Sequence, residues 1–116
     1  MIIQLKMKEY EQKWLNQLDA IIERNIPNPD FQLSDITTEL KVSRAKLYRV
    51  VTKLTKVSPS GYLRKKRLKK AYEILDKGVY PTIKETSAAV GFRQPEHFTR
   101  TFYKEYQILP SDLLNK

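Results

Sequence analysis

The chain has 116 residues, of which 41% are hydrophobic, so it can form one small domain with its own core. It contains no cysteine, which excludes disulfides, thiolate metal sites and cysteine nucleophiles. A single histidine, His97, and three glycines provide neither a metal cluster nor a phosphate-binding loop, so we expect no cofactor, no metal and no enzymatic activity. No apolar run approaches the roughly 18 residues of a membrane span, and we therefore expect a cytoplasmic protein without a membrane partner.

Hydrophobic residues recur every three or four positions along the chain, which predicts an all-α fold with seven helices. The first helix is predicted over residues 10–25, after an N-terminal extension or linker remnant at residues 1–9. A short helix over residues 34–40 and a longer one over residues 43–55 follow it. Each of these two is opened by a serine that can act as its N-cap, and only two residues separate them.

The second half of the chain contains the same kinds of signal. Ser58 and Pro59 place an N-cap and a first-turn proline at the start of a linking helix, predicted over residues 58–77. Thr82 and Glu85 have the spacing of a capping box, which opens another short helix. The remaining predicted elements are a turn at 91–93, a long helix at 94–106 and a short terminal helix at 110–114.

A short helix, a tight turn and a longer helix therefore occur twice, which is the arrangement of a helix-turn-helix pair. We predict a double helix-turn-helix domain over residues 10–116, with unit one at 10–57 and unit two at 78–116 on either side of the linking helix. The two copies are related in sequence at offsets of 50 before the turn and 51 after it, and the matches are Leu40-Lys41-Val42 with Val90-Gly91-Phe92, Leu47 with Phe98, Arg49 with Arg100, Lys53 with Lys104, and Ser58-Pro59-Ser60 with Leu109-Pro110-Ser111.

The positive charge is concentrated in the middle of the chain. Residues 1–40 have a net charge of −3 and residues 71–116 have none, whereas residues 41–70 contain 12 lysines and arginines and no acidic residue. A solvated surface normally mixes both signs, so this acid-free block indicates a polyanionic partner. Double-stranded DNA is the partner that we expect.

The second helix of a helix-turn-helix enters the major groove, where outward side chains meet base edges while neighbouring donors hold phosphates. Helical spacing places Arg49 and Arg100 opposite the apolar stripes of the two long helices. Glu96 has two readings, because it can accept a hydrogen bond from cytosine or pair with Arg100 four residues later. The predicted base-reading residues are Arg44, Ala45, Lys46, Arg49, Gln94, Glu96, His97 and Arg100. The predicted phosphate contacts are Ser43, Thr52, Lys53, Thr99 and Lys104.

Several spaced motifs of the chain resemble a known family, and they are Ser43-x-x-x-Leu47-Tyr48-Arg49, Ser58-Pro59-x-x-Tyr62-Leu63-x-x-x-Arg67-Leu68-x-x-Ala71, and Val90-Gly91-Phe92 followed by Phe98-x-x-x-Phe102 and Pro110-Ser111. In this order they resemble the DNA-binding domain of AraC/XylS-type bacterial transcription regulators, over about residues 14–114. The chain departs from the family at three turn positions where glycine is usual, which are Lys41, Lys56 and Gln107, and at Thr37, Ser87 and Tyr103.

This resemblance implies a sequence-specific DNA-binding transcription regulator of the bacterial cytoplasm, associated with the nucleoid, for which RNA polymerase is a second candidate partner. Asn28-Pro29 and the helix after it are similar to the C-terminal domain of two-component regulators. They imply an output domain that is monomeric when isolated, with dimerisation supplied by a missing sensor or receiver domain. The alternative from another class is a basic helical module that binds RNA or an anionic membrane surface without sequence specificity.

Overall fold

A computed structural model describes the backbone of residues 2–116 and the side chains of residues 8–116. In this part of the chain all regular structure is helical, which confirms the predicted all-α class with seven helices. No helix of the described residues has the length and apolar character needed to cross a membrane. The helices are α1 (Ile2–Asn25), α2 (Leu33–Leu40), α3 (Arg44–Thr55), α4 (Pro59–Lys77), α5 (Ile83–Ala89), α6 (Pro95–Tyr106) and α7 (Pro110–Leu114).

The helices form two compact units, and the boundary between them lies inside α4 rather than at its two ends. Unit 1 comprises the described residues up to Asn25 together with Gln32–Leu63, so it contains α1, α2, α3 and the first residues of α4. Unit 2 comprises Ile26–Phe31 and Arg64–Lys116. It therefore contains the connection between α1 and α2, the rest of α4, and the last three helices.

Unit 1 is built around the apolar faces of α1, α2 and α3, which all contact one another. Trp14, Leu18 and Ile22 recur every four residues on α1 and are buried, as their periodicity predicted. Ile36 of α2 and Val51 of α3 are at most 1% exposed. Because α3 buries one stripe in this core, its opposite side faces solvent.

Unit 2 has a core that is rich in aromatic rings. Phe98 and Phe102 of α6 are fully buried, and their ring centroids are 5.7 Å apart. Phe92, in the turn before α6, packs edge-on against Phe98 at 5.3 Å, and Tyr106 packs against Phe102 at 4.9 Å. Ring pairs in such tilted and edge-on geometries stabilise a core beyond their buried area. They fix which side of α6 faces inward.

A buried arginine attaches the connection between α1 and α2 to unit 2. Arg67 is 7% exposed, and its guanidinium donates hydrogen bonds to the backbone carbonyls of Ile26, of Asn28 at 3.1 Å and of Val90 at 2.8 Å. Burial lowers the pKa of Arg67, and the three acceptors replace the water that its guanidinium loses. These bonds explain why residues 26–31 belong to unit 2 although the helices on both sides belong to unit 1.

Three of the predicted helix caps are confirmed. The Ser58 hydroxyl accepts a hydrogen bond from the N–H of Gly61 at 3.1 Å, at the start of α4. The Ser43 hydroxyl accepts a hydrogen bond from the N–H of Lys46 at 3.0 Å, at the start of α3. The Thr82 hydroxyl accepts one from the N–H of Glu85 at 3.1 Å, at the start of α5. These side chains satisfy N–H groups that have no partner inside the first turn of a helix.

Two predicted helix starts were wrong. The first helix begins at Ile2 instead of near residue 10, because nothing before Asn25 is a proline or glycine that would interrupt it. Residues 2–9 therefore belong to α1, and residue 1 lies outside the described residues. The second helix begins at Leu33 with Gln32 as its N-cap, and so Ser34 lies inside its first turn. Asp35 sets this start, since its carboxylate accepts a hydrogen bond from the N–H of Gln32 at 2.9 Å.

Three turns contain a non-glycine residue in the left-handed backbone region. These residues are Lys41 (φ 57°), Lys56 (φ 66°) and Gln107 (φ 61°), at the positions where glycine is usual in the family that the sequence resembles. The backbone geometry of these turns is therefore retained without glycine. A side chain in this region costs roughly 1–2 kcal/mol.

Candidate nucleic-acid interface

The outward side of α3 is strongly cationic. A short turn after Leu40 and the cap at Ser43 connect α2 to α3, and Leu47 and Val51 hold α3 against the core. The twelve residues of α3 include four cations and no carboxylate. An exposed, positively charged helix of this kind is suited to the major groove, where base edges present distinct donors and acceptors.

Three of the predicted base-reading residues of α3 are fully on its exposed side. Arg44, Ala45 and Arg49 are exposed, and Ala45 and Arg49 lie four residues apart on one face. Lys46 is half-buried at the edge of this face. Tyr48, which was not among the predicted contacts, is 58% exposed one turn beyond Arg44. An aromatic residue outside the apolar stripe was the signal that could have identified it.

The predicted phosphate contacts of unit 1 are placed less uniformly. The Ser43 hydroxyl is exposed but already serves as the cap of α3. Lys53 is exposed, and its ammonium donates to a carboxylate oxygen of Glu11 on α1 at 2.8 Å. Thr52 does not match its predicted role, because its hydroxyl oxygen is buried and has no hydrogen-bond partner. A phosphate cannot reach that oxygen unless the side chain rotates.

The predicted residues of α6 divide between the start of the helix and one of its flanks. Gln94 is the N-cap and Glu96 lies in the first turn, and both are exposed. Glu96 forms no ion pair with Arg100 in the described part of the chain, so the pairing that its spacing allowed is not formed. Thr99 is half-buried.

The other predicted residues of α6 line an open groove between α4 and α6, which we call the α4–α6 groove. His97, Arg100 and Lys104 are exposed and lie three to four residues apart, so they form one stripe along α6. The full lining of the groove is Arg64, Leu68, His97, Arg100, Thr101, Lys104 and Glu105. Sequence reasoning placed the residues of α6 at DNA but did not include Arg64, which stands on another helix.

An outward helix that follows a short helix and a tight turn, repeated once in the chain, defines a DNA-binding protein of the helix-turn-helix class. A family model described as a helix-turn-helix domain matches residues 36–116. The chain belongs to the AraC-type helix-turn-helix family of transcription regulators, as its motifs predicted. Members of this family are transcription regulators rather than enzymes, which agrees with the expectation from the sequence.

Solved structures with this fold include two at 27% identity to this chain. An AraC-type transcriptional regulator from Chromobacterium violaceum has a TM-score of 0.82 over 90% of this chain and 91% of that one. The C-terminal domain of the two-component response regulator yesN from Fusobacterium nucleatum has a TM-score of 0.79 over 88% of this chain and 98% of that one. The same fold therefore occurs as one domain of a longer regulator.

Curated relatives are much longer than this chain. It is 32% identical over 98 residues, or 84% of its length, to the HTH-type transcriptional regulator GbdR from Pseudomonas aeruginosa. It spans 26% of GbdR, and it spans 8% of Histidine kinase P4 from Formosa agariphila, to which it is 27% identical over 97% of its own length.

Proposed function

We propose that this domain regulates transcription by inserting α3 and α6 into the major groove of specific sites in duplex DNA, as part of the bacterial nucleoid. The observation that supports this most strongly is the outward face of α3, which lies within thirty residues that contain twelve cations and no carboxylate. Such a surface attracts the phosphate backbone of any duplex. Sequence preference comes from the side chains that reach the bases.

In unit 1 the proposed base-reading residues are Arg44, Ala45 and Arg49, with Lys46 at the edge of the same face. An arginine can donate two hydrogen bonds to a guanine edge, and a small residue such as Ala45 lets the backbone approach or contacts a thymine methyl. Ser43 and Lys53 are the proposed phosphate contacts. Thr52 is not included, because its hydroxyl is buried.

In unit 2 the proposed contacts of α6 with bases begin at its N-terminal end. Gln94 suits an adenine edge, and Glu96 can accept from the amino group of cytosine, since no ion pair with Arg100 occupies it in the described structure. Thr99 and Lys104 are proposed to hold phosphates. His97 and Arg100 are proposed to contact bases or the backbone, since both are exposed on one stripe of α6.

The proposal for the whole protein follows from the length of its relatives. Because the chain spans only part of each, we propose that it is the output domain of a longer regulator, monomeric when isolated, with dimerisation supplied by a sensor or receiver domain. RNA polymerase is the second proposed partner, since the family to which the chain belongs regulates transcription.

A binding-site selection on random duplex DNA tests this function. We expect an enriched motif with two short elements about one helical turn, or roughly 10 base pairs, apart. If five to seven phosphates are neutralised, the slope of log affinity against log salt is about −4.5 to −6 on that site. Absence of any enriched motif, or a slope shallower than about −2, would contradict the proposal. Equal binding to single-stranded RNA or to anionic vesicles would favour a nonspecific basic module instead.

A further inference from the structure

The long helices that precede the two helix-turn-helix motifs share a buried stripe at a fixed offset in sequence. Three buried residues of α1 lie 53 positions before buried residues of α4, and the pairs are Trp14 with Arg67, Leu18 with Ala71, and Ile22 with Leu75. The same offset relates Leu15, which lines a groove beside α3, to Leu68, which lines the α4–α6 groove. It relates Glu11 to Arg64.

The groove of unit 1 is internally neutralised at this position. The groove is lined by Lys8, Glu11, Gln12, Leu15 and Leu54. The Glu11 carboxylate accepts a hydrogen bond from the ammonium of Lys53 at 2.8 Å. Lys53 corresponds to Lys104 in the internal repeat. A carboxylate and an ammonium at such a distance satisfy each other, so Glu11 supplies Lys53 with an anionic partner in the free domain.

The α4–α6 groove of unit 2 has the opposite electrostatics at the matching positions. Arg64 stands where unit 1 has Glu11, so Lys104 faces an arginine in place of a carboxylate. The one acidic residue of the lining, Glu105, has its carboxylate 3.5 Å from the ammonium of Lys65. Among the described residues, the side chains of Arg64, Arg100 and Lys104 form no ion pair.

We propose that the α4–α6 groove is an oxyanion site that holds a backbone phosphate of DNA, with Arg64, Arg100 and Lys104 as its donors. This inference rests on the proposed function, because it needs α6 at the duplex. Like charges that line one groove repel each other, and a bound phosphate removes that repulsion. Two guanidinium groups also match the oxygen geometry of a phosphate, to which arginine donates in pairs of parallel hydrogen bonds.

Two consequences distinguish this site from the contacts proposed above. Arg100 holds the backbone and does not read a base, although its counterpart Arg49 is a base-reading residue of unit 1. Arg64 contacts DNA although it lies on α4, outside both helix-turn-helix motifs. Unit 2 therefore grips the duplex through two helices.

The test compares Arg64→Gln with Lys70→Gln on the enriched duplex. Lys70 is exposed on another face of α4, six residues away, and both changes remove one charge at similar helix propensity. Arg64→Gln is expected to weaken all duplexes alike, on the order of tenfold, and to make the salt slope shallower by about 0.9. Lys70→Gln is expected to change both quantities much less. Equal effects of the two variants would overturn the phosphate site.

A second measurement identifies the source of the phosphate. Neutral methylphosphonate linkages are placed one at a time along the duplex, and the wild-type domain is expected to lose affinity at one position where Arg64→Gln loses none. Inorganic phosphate, titrated at constant ionic strength, is expected to bind the free domain no better than chloride does. Saturable phosphate binding with no position-dependent loss on DNA would overturn the assignment to the backbone. If the wild-type domain selects no DNA site, the proposed function is contradicted. If it selects a site on which Arg64→Gln and Lys70→Gln bind equally well, only the phosphate site is contradicted.

Discussion

The two units bury equivalent positions with different chemistry. In unit 1 the position is Trp14, an apolar ring that is 7% exposed, and in unit 2 it is Arg67, which is also 7% exposed and donates to three backbone carbonyls. An apolar core tolerates small shifts because the hydrophobic effect has no direction. A buried guanidinium does not, since each unmade hydrogen bond leaves a costly polar group. The internal repeat therefore preserves burial, while the two units differ in how sensitive they are to small displacements.

The outward helices differ in the opposite sense from the grooves beside them. In α3 all four charged side chains are cationic, whereas α6 carries Glu96 and Glu105 beside Arg100 and Lys104. Unit 1 is thus expected to provide most of the electrostatic affinity. Unit 2 concentrates its positive charge in the α4–α6 groove.

The largest expected effect is on the directional core of unit 2, through Gly91→Ala. Gly91 has φ 83°, and an added Cβ would overlap the Arg67 guanidinium and lie 2.5 Å from the carbonyl oxygen of Ile26. Backbone strain and displacement of the arginine together should lower the free energy of unfolding by at least about 3 kcal/mol. Urea unfolding followed by far-UV circular dichroism measures this change.

Gly78→Ala is the matched control for that variant. Gly78 also has a positive φ, of 61°, but nothing lies within 4 Å of an added Cβ. We expect a loss of about 1 kcal/mol from the backbone alone. If both alanine variants unfolded at the same urea concentration, the carbonyl bonds of Arg67 would not be a sensitive point of unit 2.

The next effect separates base reading from phosphate holding in unit 1. Arg49→Ala should cost about 1–3 kcal/mol on the selected duplex and relax the preference at one base pair. Lys53→Ala should weaken specific and random duplexes to the same extent, because the contact that it loses with DNA is to a phosphate and not to a base. Competition binding with single-base variants of the site measures both. Uniform losses for both variants would show that Arg49 does not read a base.

Unfolding at alkaline pH compares Tyr62 of unit 1, whose hydroxyl is hydrogen-bonded, with Tyr106 of unit 2, whose hydroxyl has no such bond among the described residues. Burial, and then the hydrogen bond from the Tyr62 hydroxyl to Asp19 at 2.5 Å, raise the pKa of Tyr62. Its stabilisation is fully present below the unfolded pKa of about 10 and is lost as the pH rises through the higher folded value. Tyr62→Phe should therefore cost about 1 kcal/mol at pH 7, and the difference from wild type should shrink above pH 10.

Tyr106→Phe completes this comparison. Burial, with the nearby Glu105 carboxylate as the next cause, raises the pKa of Tyr106, but its hydroxyl has no hydrogen-bond partner in the described structure. The loss at pH 7 should be smaller than for Tyr62→Phe. A pH-independent difference between wild type and Tyr62→Phe, measured by urea unfolding from pH 8 to 11, would contradict the role of the bond to Asp19.

The smallest expected effect makes the groove of unit 1 more like that of unit 2. Glu11→Gln releases Lys53 from its carboxylate partner, and affinity for every duplex should rise about two- to threefold. Stability should fall by only a few tenths of a kcal/mol, because the pair is partly exposed. Filter binding at two salt concentrations measures the gain. An unchanged affinity would mean that the ion pair does not compete with DNA.

Much of the fold could be predicted because it is encoded locally. Helical periodicity identifies buried stripes such as that of Trp14 and Leu18, and the caps at Ser43 and Thr82 need only the next three residues. The partners of Arg67 could not be predicted in this way. They lie 41, 39 and 23 residues away along the chain, so they depend on where the backbone returns in three dimensions.

In the candidate site, too, the features that depend on local sequence could be predicted and those that depend on distant residues could not. The exposure of Arg44 and Arg49 follows from the burial of the opposite stripe, which periodicity reveals. The buried hydroxyl of Thr52 depends on a side-chain rotamer, and the partner of Lys53 lies 42 residues earlier on α1. Arg64 was missed because its neighbours in the groove come from a helix more than thirty residues further on.

The lysines in the turns before and after α3 affect both the stability of the domain and its charge. Lys41 and Lys56 occupy left-handed backbone where glycine would be relaxed, yet each places a positive charge beside the helix proposed to enter DNA. Lys56 also meets the negative end of the α3 dipole, and its ammonium donates to the carbonyl of Lys53 at 3.2 Å. A glycine in either turn would make the free domain more stable and would weaken its complex with DNA. These lysines therefore trade some stability of the domain for affinity to a polyanion.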